Sequence, residues 1–70
     1  MVKHNDEFIQ LINKIQTTKT WKEMELSNVR FSKMIGVSES TFYRWTRGQS
    51  PVPLTVIYLL RLILKDFKGD

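Results

Sequence analysis

Ser27-Asn28-Val29-Arg30-Phe31-Ser32-Lys33-Met34-Ile35-Gly36-Val37-Ser38-Glu39-Ser40-Thr41-Phe42-Tyr43-Arg44-Trp45-Thr46-Arg47-Gly48 is the stretch on which the fold turns. Phe31, Met34 and Ile35 recur at i, i+3 and i+4, with Arg30 and Lys33 on other sides, so a short helix over about 28–35 is expected behind a Ser27 cap. Gly36 stops it, because a left-handed helix end costs a glycine nothing sterically. Ser38 then caps a second short helix that opens at Glu39, whose carboxylate suits the positive first turn. Within that helix Phe42 and Trp45 stand three apart and are expected to face inward. Glu39, Ser40, Tyr43, Arg44 and Arg47 are left facing outward. Two helices joined by a glycine turn of about three residues, the second with a polar, basic outer face, form the pattern of a helix-turn-helix.

The flanks fit one small all-α domain over residues 1–70, a compact bundle of four to five short helices with the helix-turn-helix core at about 27–48. Upstream, Phe8, Leu11, Ile12 and Ile15 mark an amphipathic helix over about 5–16, capped by Asn5 or Asp6. Gln16 to Thr20 reads as a break. Trp21 to Leu26 is open between irregular structure and one helical turn in which Trp21 and Met24 close over the core. Downstream, Gly48 to Pro53 forms a loop. Pro53 suits the first position of an apolar helix over about 53–67, since its missing N–H has no helical partner there.

Composition excludes more than it suggests. Seventy residues with no cysteine leave no disulfide framework, thiolate metal site or thiol nucleophile, and point to a reducing interior. A domain of this size hides only roughly 60% of the surface its unfolded chain exposes, so a partner would help it. The N-terminal seven residues are too polar for a signal peptide and no apolar run spans a bilayer, so a cytoplasmic, nucleoid-associated protein is expected. His4 is the single histidine and has no second ligand in sequence, so neither a metal nor any other cofactor is expected. An enzyme would need a nucleophile with a neighbouring base; the outward Ser and Tyr residues have none, and no catalytic residue is assigned.

The net charge of +4 and pI near 9.7 favour a polyanion, and charge placement sharpens this. Residues 30–47 hold four cations, Arg30, Lys33, Arg44 and Arg47, against the single anion Glu39. An arginine can fork onto the O6 and N7 of guanine, worth roughly 1 to 3 kcal/mol of discrimination, which makes Arg44 the first choice for base readout. Glu39 either accepts from a cytosine amino group or merely serves the helix dipole. Tyr43 either meets a thymine methyl or a phosphate or faces solvent with no partner. Arg30, Lys33 and Arg47 suit phosphate neutralisation, which needs charge but little geometry, and Gln49 and Ser50 can donate to phosphate.

The segment Leu26 to Gly48 resembles the lambda-repressor-like (XRE, Cro/CI-type) helix-turn-helix family, chiefly in Gly36-Val37-Ser38, the inward Phe42 and Trp45, and Arg47-Gly48. The resemblance extends through Pro53 and Leu54 and covers rather under half of the chain. It implies base contacts from Glu39, Ser40, Tyr43 and Arg44 and phosphate contacts from Asn28 and Thr41. The family usually has Gln where Asn28 stands. Ser32 replaces a common Ala, Thr46 a frequent Glu, and the stretch Thr17 to Glu25 lengthens the usual gap between the first two helices.

The last helix is apolar around its axis, so either the other helices wrap it fully or a second copy covers it. A homodimer through Val56, Leu59, Leu60, Ile63, Leu64 and Phe67 is expected, on a palindromic double-stranded operator with half-sites about 34 to 36 Å apart. The expected function is sequence-specific transcriptional regulation, by autoregulatory repression. The alternatives are a protein-interaction module using the apolar helix and an architectural or excisionase-like DNA binder.

Overall fold

The computed structural model describes residues 4–69; residues 1–3 of the N-terminal stretch, and Asp70, lie outside them. The chain is all-α: α1 (Asn5–Gln16), α2 (Lys19–Glu23), α3 (Asn28–Met34), α4 (Glu39–Thr46) and α5 (Leu54–Lys68), with no strand among the described residues. α1 is the centre of the bundle. α4 and α5 both pack against it, α3 packs on α4, and α2 bridges α1 and α5.

The inward stripe of α1, Phe8, Leu11, Ile12 and Ile15, is buried as its spacing requires, and meets Phe31, Phe42, Trp45, Val52, Ile57 and Leu60 in one core. Phe8 stands edge-on to both Phe42 and Trp45, with ring centroids 5.4 Å away in each case. This arrangement suits the opposed charge of ring faces and edges. At the rim Trp21 is half-buried and packs against Phe31, 5.3 Å between centroids.

Three helices end alike. In α3 the N–H of Gly36 donates to Lys33 and that of Val37 to Ser32. In α4 the N–H of Gly48 donates to Trp45 and that of Gln49 to Arg44. In α2 the N–H of Glu25 donates to Lys22 and that of Leu26 to Trp21. This paired pattern satisfies carbonyls that the helix leaves free and needs a left-handed residue at its hinge. Gly36 (φ +84°) and Gly48 (φ +71°) supply it without strain, whereas Glu25 supplies it at φ +53° against the crowding of its own Cβ.

Several expectations need correction. α1 is not capped by Asn5 or Asp6: His4 holds the cap position without a side-chain bond, its carbonyl accepting from the Phe8 N–H at 2.9 Å, while Asn5 turns into the core. α2 begins before Trp21, because the Thr18 hydroxyl caps it by accepting from the Trp21 N–H. Its turn does not bring Met24 over the core, since Met24 is 45% exposed. Pro53 is the cap of α5, with extended ψ, one residue ahead of the position expected for it.

The dimer face is also revised. Leu60 is fully buried, and Val56, Ile63, Leu64 and Phe67 pack against the core; of the six positions expected to meet a second copy, Leu59 alone is exposed. α1 and α2 take that side of α5. The apolar residues left open are Leu54, Tyr58, Leu59 and Leu62, the last 67% exposed, so the helix is not fully wrapped.

Candidate nucleic-acid interface

α4 is placed by its ends and its buried side. At its start, the Ser38 hydroxyl accepts from the Thr41 N–H (3.1 Å) and donates to the Thr41 hydroxyl oxygen (2.9 Å), which closes the first turn on itself. Phe42 and Trp45 are buried beneath it, locked against Phe8, so the rotation of α4 about its axis is set by two aromatic rings. That rotation puts Glu39, Ser40, Arg44 and Arg47 in solvent and leaves Tyr43 half-buried, its ring edge-on to Phe42. Ser40, Tyr43, Arg44, Arg47 and Gln49 line one shallow groove of about 290 Å³. Gln49 joins it because the turn after α4 folds back, the Gln49 N–H bonding the Arg44 carbonyl at 2.9 Å.

The remaining phosphate candidates are dispersed. Asn28 opens α3 beside the end of α1, where its carbonyl accepts from the Gln16 side-chain amide at 2.6 Å. This occupies its acceptor and leaves its NH2 donors without a partner among the described residues. Asn28 shares a crevice with Phe42 and Thr46 and does not line the α4 groove. The Arg30 guanidinium donates to the Glu25 carbonyl at 3.2 Å, bracing the α2–α3 connection. Lys33 is exposed in the last turn of α3, where a cation also offsets the helix dipole. Glu39 is exposed in the first turn of α4, so its dipole role and a role in base readout share one geometry. Ser50 is half-buried and its carbonyl is engaged by Asn5.

No protein-family model, no curated protein and no solved structure matches this chain. The site is therefore argued from its own residues. Among the described residues no group of three or more His, Cys, Asp or Glu is placed to hold a metal ion, and no helix is long and apolar enough to cross a membrane.

One residue that matters to the site was read differently in the sequence. Asn5, only 4% exposed, donates to the carbonyls of Trp45 (2.8 Å) and Ser50 (2.9 Å) and accepts from the Val52 N–H (3.1 Å). A single amide thus ties the end of α4 and the following loop to the start of α1, satisfying three backbone groups in the interior. Its signal was there: Asn5 stands three residues before Phe8, on the stripe that Ile12 and Ile15 continue.

Proposed function

We propose that the chain is a sequence-specific, double-stranded-DNA-binding transcriptional regulator, with α3 and α4 acting as a helix-turn-helix. The observation that carries this reading is the outer face of α4, where Glu39, Ser40 and Arg44 are exposed beside a half-buried Tyr43, above a buried Phe42 and Trp45. In this reading α4 enters the major groove, Arg44 forks onto a guanine, Glu39 accepts from a cytosine amino group and Tyr43 lies against a thymine methyl. Arg47, Gln49, the Thr41 hydroxyl and the Asn28 NH2 group hold phosphates, while Arg30 and Lys33 add charge and little geometry. Occupying an operator is then sufficient to repress, with no sensor needed.

A palindromic operator calls for two copies, and the open apolar face of α5 supports that arrangement. Residues Leu54 to Leu60 carry no charge, whereas Arg61, Lys65 and Lys68 against the single anion Asp66 make the second half of the helix basic. An antiparallel crossing lays the basic half of one α5 on the neutral half of the other and avoids stacking like charges. The 67% exposure of Leu62 also favours a second reading, in which this face grips a different protein and the DNA contacts do not exist.

Selection of bound duplexes from a random pool, followed by footprinting, tests the proposal. A symmetric enriched sequence is expected. Arg44→Ala should weaken binding to it by about 10- to 100-fold and relax one base position in each half-site, with an unchanged denaturation midpoint. No enrichment, or an Arg44→Ala protein that binds equally well, overturns the assignment and leaves the protein-interaction reading.

A further inference from the structure

Lys14, Lys19 and Lys68 belong to three different helices, yet they rim one cleft of about 590 Å³. Leu64 and Phe67 of α5 supply its apolar lining and Thr17 and Thr18 complete it; among the described residues no carboxylate lines it. A shallower depression bounded by Arg61, Leu64, Lys65 and Lys68 runs into it through the shared Leu64 and Lys68. The wall is tied together where the Thr20 hydroxyl of α2 donates to the Phe67 carbonyl of α5 at 3.0 Å.

Two of these lysines have a local explanation. Lys14 and Lys68 stand in the last turns of α1 and α5, where free carbonyls favour a cation. Lys19 has none. It opens α2, where the peptide dipoles oppose an ammonium group. The ion pair between Arg61 and Glu7 is the sole one among the described residues, so no carboxylate there answers Lys14, Lys19 or Lys68. The hydroxyls of Thr17 and Thr18 already donate to the Lys14 and Ile15 carbonyls, at 2.7 and 2.6 Å. Recognition in the cleft therefore falls to ammonium groups around a hydrocarbon surface.

We propose that this cleft binds a small organic anion with an apolar body, of the medium-chain carboxylate class, its carboxylate among Lys14, Lys19 and Lys68 and its hydrocarbon over Leu64 and Phe67. Inorganic phosphate would use the charge and waste the apolar surface; a neutral lipid would do the reverse. The volume falls within the roughly 300 to 1,000 Å³ of small-molecule sites. The proposal does not depend on the DNA reading, since no residue of α4 lines the cleft.

Amide-resolved NMR titration of the full chain with octanoate, kept below its micelle concentration, is the test, with acetate and 1-octanol as the two halves of the ligand. Octanoate should shift the amides of residues 14, 17–19, 64, 67 and 68 saturably, and acetate should bind on the order of fiftyfold more weakly. Lys14→Ala, Lys19→Ala and Lys68→Ala, all at exposed positions, should each weaken octanoate about two- to fivefold with the fold retained; Lys19→Ala should leave the thermal midpoint unchanged, and the two helix-end variants should lower it by a few degrees at most. Shifts that never saturate, an equal response to acetate or 1-octanol, or lysine variants that bind octanoate unchanged would each overturn the proposal. So would lysine variants that lose only affinity for phosphatidylglycerol vesicles or for duplex DNA, which would make the patch a membrane or nucleic-acid surface.

Discussion

α4 and α5 both lie on α1, and they treat their apolar residues in opposite ways. α4 is eight residues long with two large inward rings, so nearly every apolar group it owns is buried and its open side is polar. α5 is fifteen residues long and carries more apolar residues than its buried side can hold: packing hides Ile57 and Leu60, and Leu54, Tyr58, Leu59 and Leu62 stay in water on the same side as Thr55, Arg61, Lys65, Asp66 and Lys68. Both helices have a one-sided pattern; they differ in how much apolar surface is left over once that side is full.

The largest effect that separates the two helices is a pair of truncations. Phe42→Ala opens a cavity under α4 against Phe8 and should cost about 3 to 5 kcal/mol in urea unfolding. Leu62→Ala should change the stability of the dilute protein by less than about 0.5 kcal/mol. Leu62→Glu should return a sedimenting dimer to the 8.3 kDa monomer with its fold intact. Equal costs at the two positions would mean that α5 is turned differently about its axis.

Next comes the bond that holds the end of α4. Asn5→Ala strands the half-buried Ser50 carbonyl and the buried Val52 N–H, while the Trp45 carbonyl keeps the Gly48 N–H, and should cost about 2 to 3 kcal/mol. Hydrogen exchange should quicken at Val52 and around the loop at 49–53, with α5 much less affected. Uniform loss of protection across the chain would show that Asn5 supports the whole bundle and not the α4 loop in particular.

The smallest expected effect is a gain. Glu25→Gly relieves a left-handed side chain at the end of α2 and should stabilise the protein by about 1 kcal/mol, a rise of several degrees in the melting midpoint, while Glu25→Ala should not. The contrast between those variants distinguishes backbone relief from removal of a charge.

Much of the α4 region was legible because its signals are local. Ser27, Gly36, Ser38 and Gly48 act within one helical turn of themselves, and the spacing of Phe42 and Trp45 leaves one side for the core. Glu25 falls in a stretch that the sequence leaves open between irregular structure and one helical turn, because a left-handed glutamate has no sequence signature of the kind a glycine carries. Asn5 was read as a cap because short polar residues at helix starts usually are, and its partners are 40 and more residues away. Five of the six positions assigned to a dimer lie opposite Thr55, Arg61, Lys65, Asp66 and Lys68, the side that packs on the core, a one-sidedness masked by the number of apolar residues in α5.

By itself, the sequence determined the helical class, the stripe of α1 and the buried pair of α4, because periodicity and capping are short-range physics. Only the tertiary structure decided that Met34, on the apolar spacing of α3, stays 44% exposed, how much of α5 is left open, what Asn5 bonds, and that Lys14, Lys19 and Lys68 share one cleft. Those outcomes depend on which helices compete for the same apolar surface, and that competition is settled between residues far apart along the chain.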